Sequence, residues 1–233
     1  MTPRLLVVTA VAAERDAVVR GLGGTATERP VPGGRVLLRT ALADVLAAGV
    51  GPAAAAAGTA AALAAAEYAL VVSAGIAGGF PPGAPVGATV VADALVAADL
   101  GAEGPEGFLP VAALGFGTSE HRPPEALSRR VAEVLGAAYG PVLTVSTATG
   151  TAARAAELTR RHPGAVAEAM EGFGVAEAAA AHKLPVLELR TVSNPVGPRD
   201  RAAWRIGEAL EALADAFARL GKEPAVLGVG ERT

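Results

Sequence analysis

Two apolar runs in the C-terminal half of the chain are each closed by polar residues. They are Ala167-Glu168-Ala169-Met170-Glu171-Gly172-Phe173 and Glu188-Leu189-Arg190-Thr191-Val192-Ser193-Asn194-Pro195-Val196-Gly197. Runs of this kind read as buried strands of an α/β fold, so Glu171 and Asn194 are expected where strands end and loops or helices begin. Open α/β sheets bind ligands at that edge. A carboxylate beside a neutral amide suits a nucleoside, the carboxylate on ribose hydroxyls and the amide on the base.

Composition fits that reading. With 233 residues, 52 % of them hydrophobic and 18 % charged, the chain can bury a large core, and one α/β domain over residues 1–233 is expected. A net charge of −3 with scattered Lys and Arg forms no basic stripe, which argues against a nucleic-acid partner. The absence of cysteine removes disulfide and thiolate chemistry, and His121, His162 and His182 stand too far apart for ligand spacing, so no metal or cofactor is expected. Between Gly49 and Phe80 the only charge is Glu67, but the stretch is Ala-rich and broken by Gly and Pro, so no membrane span is expected. The apolar core of Met1–Val8 is too short for a signal peptide and runs into a strand; a soluble, cytoplasmic protein is the expectation.

Along the chain, Leu5–Val8 reads as a central strand and Ala13–Gly21 as a first helix. Val36–Thr40 and Asp44–Ala48 read as short strands, Ala53–Ala66 as a helix opened by Pro52, and Ala69–Ser73 as a strand leading into a glycine-rich loop, Ala74–Phe80. Ala88–Leu95 is a further expected strand, and the Gly- and Pro-rich segment Ala98–Pro124 a long functional loop. Beyond it come a helix over Pro124–Leu135, a strand over Val142–Ser146, a helix over Ala152–Arg161, a strand over Ala165–Ala169 and a helix over Gly172–His182. A strand over Pro185–Val192 and a long amphipathic helix over Arg201–Leu220 complete the pattern, with a frayed tail after Gly221.

Four segments in this order resemble the purine nucleoside phosphorylase and methylthioadenosine/S-adenosylhomocysteine nucleosidase superfamily over residues 4 to 220. They are Thr9-Ala10-Val11-Ala12-Ala13-Glu14, Ala48-Gly49-Val50-Gly51, Ser73-Ala74-Gly75-Ile76-Ala77-Gly78-Gly79, and Ala169-Met170-Glu171 with Val192-Ser193-Asn194. Met170-Glu171-Gly172 and Val192-Ser193-Asn194-Pro195-Val196-Gly197-Pro198-Arg199-Asp200 resemble, within it, the futalosine hydrolases of the futalosine route to menaquinone. The resemblance implies a mixed central β-sheet flanked by helices. It also implies a homodimer or larger homo-oligomer that binds a small nucleoside and cleaves the N-glycosidic bond of futalosine, releasing hypoxanthine and dehypoxanthine futalosine. An adenine-specific nucleosidase, a purine nucleoside phosphorylase and a non-catalytic nucleoside-binding module are the alternatives. A phosphorylase needs a basic phosphate cradle, and the glycine-rich stretches have no nearby arginines to supply one.

The resemblance also assigns roles. Glu14 positions the attacking water, although a first-turn glutamate is equally what a helix macrodipole favours. Met170 packs on the ribose and Glu171 accepts hydrogen bonds from its hydroxyls, against the plainer readings of core filler and helix-start carboxylate. Asn194 stands where adenine-cleaving relatives carry Asp. An amide can donate to the O6 of a 6-oxopurine, which an ionised carboxylate would repel, while a turn role before Pro195 is the simpler alternative. Gly75, Ala77 and Gly78 match the family's Gly-Ser-Ala-Gly loop and Ile76 replaces its Ser, removing a hydroxyl beside the sugar. A base-stacking aromatic is sought among Phe80, Phe108 and Phe173. Futalosine carries a carboxylated aromatic group at its 5′ end, so Arg199, Arg201 or Arg122 is a candidate partner for that carboxylate.

Overall fold

The computed structural model describes residues 4–228. The first half of the chain runs β1 (Leu5–Thr9), α1 (Ala12–Gly21), β2 (Thr27–Val31), β3 (Arg35–Arg39), β4 (Ala43–Ala47), α2 (Pro52–Ala65), β5 (Leu70–Gly79) and β6 (Thr89–Ala97). There follow β7 (Gly101–Gly104), β8 (Gly107–Pro110), β9 (Glu120–His121), α3 (Glu125–Leu135), β10 (Ala138–Thr144) and α4 (Ala152–Arg161). The chain continues through β11 (Ala167–Ala169), α5 (Gly172–Ala181), β12 (Val186–Pro195) and α6 (Ile206–Lys222).

The main sheet has the order β11-β10-β6-β12-β5-β1-β4-β3-β2, with β9 on β6, and it is mixed. β1 lies parallel to β4 and β5, and β12 parallel to β5, whereas β12 meets β6 antiparallel. β11 pairs with β10 on one side and antiparallel with β5 on the other, which closes five strands into a ring. Helices cover both faces. α2 and α5 supply Ala55, Ala62, Val175 and Ala179 to one core, and α1, α3 and α6 supply Val18, Val131, Leu213 and Phe217 to the other. Leu5–Val8 is buried throughout, as a strand sandwiched between helix layers must be.

Four sequence expectations are corrected. Ala74–Phe80 is not a loop: β5 continues to Gly79, because β12 runs beside it from Val186↔Val71 to Pro195↔Gly79 and β11 pairs with Gly78 and Gly79. Glycines weaken a strand signal, but here they are required by close approach. A Cβ on Gly79 would lie 2.0 Å from the Ala84 carbonyl oxygen. The segment Ala98–Pro124 contains the β7/β8 hairpin and β9. The last helix starts at Ile206, after a 3₁₀ turn at Arg201–Ala203 whose Ala202 N–H donates to the Asp200 side chain. The chain after Gly221 is not frayed through residue 228, since Pro224–Leu227 forms a 3₁₀ turn with Val226 and Leu227 buried; residues 229–233 lie outside the described residues. β2, with four exposed residues of five, carries no apolar alternation that would announce it.

Candidate active site

β1, β5, β11 and β12 end around one cleft of about 580 Å³, lined on its polar side by Glu14, Glu168, Glu171, Ser193 and Asn194. Glu14 comes from the first turn of α1, and its two oxygens do different things. Oε2 accepts the N–H groups of Ala10 (2.9 Å) and Val11 (3.2 Å), closing the helix start, while Oε1 reaches across to the Ile76 N–H of β5 at 2.9 Å. The helix-cap role and the site role therefore coexist in one side chain. Burial pushes the Glu14 pKa up, and the Arg190 charge with the N–H groups of Ile76 and Val11 only partly offsets it.

Glu171 stands at the N-cap position of α5 without capping that helix. Its Oε1 accepts the Gly51 N–H at the start of α2 (3.1 Å), and its Oε2 accepts from Arg190 Nη1 and the Met170 N–H, both at 3.3 Å. Arg190 is the hub beneath the cleft. Its guanidinium is fully buried and donates to Glu188 Oε1 at 2.9 Å, Glu171 Oε2 at 3.3 Å and Ser73 Oγ at 3.1 Å. A Cβ on Gly75 would lie 2.5 Å from Glu14 Oε1 and 2.9 Å from Arg190 Nη1, so Glu14 and Arg190 close over a bare α-carbon. One cation among Glu14, Glu171 and Glu188 leaves carboxylate in excess, and burial raises the Glu188 pKa despite its bond to Arg190.

At the other end of the cleft, Asn194 is half-buried. Ser193 Oγ donates to its Oδ1 at 2.8 Å, and its Nδ2 donates to the Pro195 carbonyl at 3.0 Å and lies near Gly78, where a Cβ would come within 3.4 Å. Ser193 thus fixes which face of the amide carries N–H. Glu168 is buried in the same wall, with Oε1 accepting the Thr149 N–H (2.8 Å) and Oε2 the Thr149 hydroxyl (2.5 Å). Burial raises its pKa, opposed by those two bonds.

Of the residues singled out in the sequence, Glu14, Ile76, Ala77, Gly78, Met170, Glu171, Asn194 and Arg199 line the cleft together. Gly75 does not; it is the wall behind Glu14 and Arg190. Phe173 is also outside it, its ring 5.3 Å from His121 and its N–H donating to Thr144 Oγ1, because the first turn of α5 points that side chain toward β10 and β9. Phe80 is core, and Phe108 lies under the Arg161 guanidinium at 3.8 Å. The aromatic side chain in the cleft is Trp204, flanked by Arg199 and Arg201 at 5.8 and 5.9 Å from its ring. Arg122 lies elsewhere, paired with Glu120 beside a separate hollow near Asp93. Sequence reasoning assigned no role to Arg190, Glu168 or Trp204. Arg190 carried a readable signal: Glu188 and Arg190 sit two residues apart in an otherwise apolar run, which puts opposite charges on one face of a buried strand, where they must pair.

Among the described residues no group of three His, Asp or Glu side chains is arranged to hold a metal ion. No helix among them is long and apolar enough to cross a membrane.

The cleft thus brings together a buried carboxylate held by backbone N–H groups, a second carboxylate tied to a buried guanidinium, and an oriented amide. The chain belongs to the phosphorylase superfamily, whose family model matches residues 4–223. It is similar to a futalosine hydrolase of Streptomyces coelicolor, at 67 % identity over 221 residues covering 93 % of this chain and 94 % of the relative. It is also similar to a futalosine hydrolase of Acidothermus cellulolyticus, at 53 % identity over 227 residues covering 95 % and 91 % of the two chains. The fold matches the solved futalosine hydrolase of Helicobacter pylori with a TM-score of 0.83 at 19 % identity, covering 96 % of this chain and 99 % of that one. It also matches the 5′-methylthioadenosine/S-adenosylhomocysteine nucleosidase of the same organism, with a TM-score of 0.81 at 19 % identity over 98 % and 99 % of the chains.

Proposed function

We propose that this protein hydrolyses the N-glycosidic bond of futalosine, giving hypoxanthine and dehypoxanthine futalosine. The observation that carries the reading is the near full-length similarity to two futalosine hydrolases, at 67 % and 53 % identity; the cleft supplies a chemical account of it.

In that account the C1′–N9 bond breaks with its electron pair leaving on the base, while a water oxygen bonds to C1′. The water proton passes to the Glu14 carboxylate, whose raised pKa makes it a better base than an exposed glutamate. Glu171, tied to Arg190 and Gly51, accepts hydrogen bonds from the ribose hydroxyls and opposes the positive charge that grows on the sugar, so it favours the transition state over the ground state. Met170 packs against the sugar. Asn194 donates through Nδ2 to the base; an amide is no proton donor of ordinary strength, so hypoxanthine departs as an anion and takes its proton from solvent. Arg199 and Arg201, which line the cleft beside Trp204, face the carboxylated aromatic group at the 5′ end. The enzyme acts in the cytoplasm as a homodimer or larger homo-oligomer.

The test is chromatography of free base released from futalosine, inosine, methylthioadenosine and S-adenosylhomocysteine, each with and without phosphate. Hypoxanthine from futalosine without phosphate is expected. Equal or greater turnover of methylthioadenosine would make the protein an adenine nucleosidase instead.

A further inference from the structure

One carboxylate of the cleft takes no part in the proposed hydrolysis. Glu168 is buried in the wall of the cavity, yet it belongs neither to the Arg190 cluster nor to the water-holding end. The sheet register fixes its neighbourhood. Glu168 on β11 stands abreast of Gly78 on β5, and Asn194 on β12 stands abreast of the same Gly78 from the other side. The carboxylate and the amide thus come from strands on either side of one glycine, and the bare α-carbon is what lets Val196 and Asn194 approach β5 there: a Cβ on Gly78 would come within 2.9 Å of Val196 and 3.4 Å of Asn194 Nδ2.

A 6-oxopurine presents acceptors at N7 and O6 and a donor, N1–H, on the adjoining edge. Asn194 supplies a donor. A base held only by that amide would leave N1–H without an acceptor in a low-dielectric wall. Glu168 is an acceptor fixed in place: Thr149 donates one bond to each of its oxygens, which sets the carboxylate plane and leaves a lone pair on each oxygen free. Adenine has an unprotonated N1 at this position, and an ionised carboxylate repels it.

We propose that Glu168 accepts the N1–H of the bound 6-oxopurine across from Asn194, making it the second half of the base reader and a determinant of hypoxanthine over adenine. The inference rests on the proposed function for the identity of the base, and the experiment separates the two. Binding of hypoxanthine, 1-methylhypoxanthine and adenine to the whole protein is measured by titration calorimetry, for wild type and for Glu168→Gln. Wild type is expected to bind hypoxanthine at least ~10-fold more tightly than either of the others, the scale of one charge-assisted hydrogen bond. In Glu168→Gln the margin over adenine is expected to shrink, because the glutamine amide can turn its N–H toward N1 of adenine. Wild type binding 1-methylhypoxanthine as tightly as hypoxanthine, or not binding hypoxanthine at all, overturns the proposal, and so do unchanged margins in a folded Glu168→Gln. The wild-type comparison alone decides if that variant fails to fold. A carboxylate that merely anchored Thr149 would leave the methyl discrimination untouched. Futalosine cleavage is scored separately: cleavage without discrimination at N1 removes the Glu168 role alone, and discrimination without cleavage removes the futalosine reading alone.

Discussion

The two oxygens of Glu14 meet different demands, one closing the start of α1 and the other crossing to Ile76, so the consequences of altering it are separable. Glu14→Gln keeps an oxygen for part of that network but cannot take a proton from water. It is expected to lower kcat by at least ~100-fold, on the order of a lost general base, while circular dichroism shows the fold retained. Near-normal kcat with easier unfolding would reduce Glu14 to a helix cap. Because the group works only when ionised and burial raises its pKa, the acid limb of the kcat/KM profile should lie above the ordinary glutamate range, with activity lost as pH falls through it. A limb at the ordinary value would show that another group controls it. Asn194→Asp puts a carboxylate opposite O6 and removes the Nδ2 donor; a loss of roughly 2–4 kcal/mol in kcat/KM for futalosine is expected, with the balance shifted toward methylthioadenosine. An unchanged ratio of the two substrates would mean that Asn194 does not read the 6-position. That Glu14, Glu171 and Asn194 lie at strand ends around one cleft was legible in the sequence, because each follows an apolar run and falls in a segment with a family counterpart. Glu188, two residues away, announced a buried partner for Arg190, but its place beneath the cleft went unread because Glu171 and Ser73 come beside it only in the fold.

At the scale of elements, the site depends on α2 and α5 packing almost backbone to backbone. A Cβ on Gly174 of α5 would lie 2.1 Å from the Pro52 carbonyl oxygen in the first turn of α2, and the neighbouring Gly51 N–H is what Glu171 holds. Gly174→Ala must push the start of α2 away. It is expected to cost roughly 1–3 kcal/mol of stability by overpacking, and to lower kcat more than a distant change of equal cost, since it loosens Glu171. Thermal unfolding together with kinetics below the transition checks this; a variant as stable and as active as wild type would refute the packing argument. The helices were readable from their apolar spacing and from Pro52. The first half of β5 was readable too, but its continuation to Gly79 was not, because Gly75, Gly78 and Gly79 signal a loop when read locally, and their strand conformation comes from β12 and β11, which lie about a hundred residues further on. The start of α6 was misplaced for a similar reason, Asp200 diverting the chain into a 3₁₀ turn that brings Trp204 to the cleft.

Across the molecule, five strands close into a ring, and the ends of β11 and β12 meet those of β1 and β5 at one rim. This brings a carboxylate from the first helix and an amide from the last strand, residues 14 and 194 of one chain, to the lining of one cleft. Fold class and the position of the cleft followed from the apolar runs and what ends them. The Trp204 wall and the Glu168 acceptor did not, since each depends on a turn or a pairing that brings distant segments together. The proposed hydrolysis requires that water, held by Glu14, be the nucleophile at C1′ of futalosine. The direct measurement is turnover of futalosine in phosphate-free buffer made with ¹⁸O-water, followed by mass spectrometry of both products. One ¹⁸O in the sugar-containing product, none in hypoxanthine, and a yield unaffected by added phosphate are predicted. Turnover only when phosphate is supplied, with a sugar phosphate as product, would contradict it.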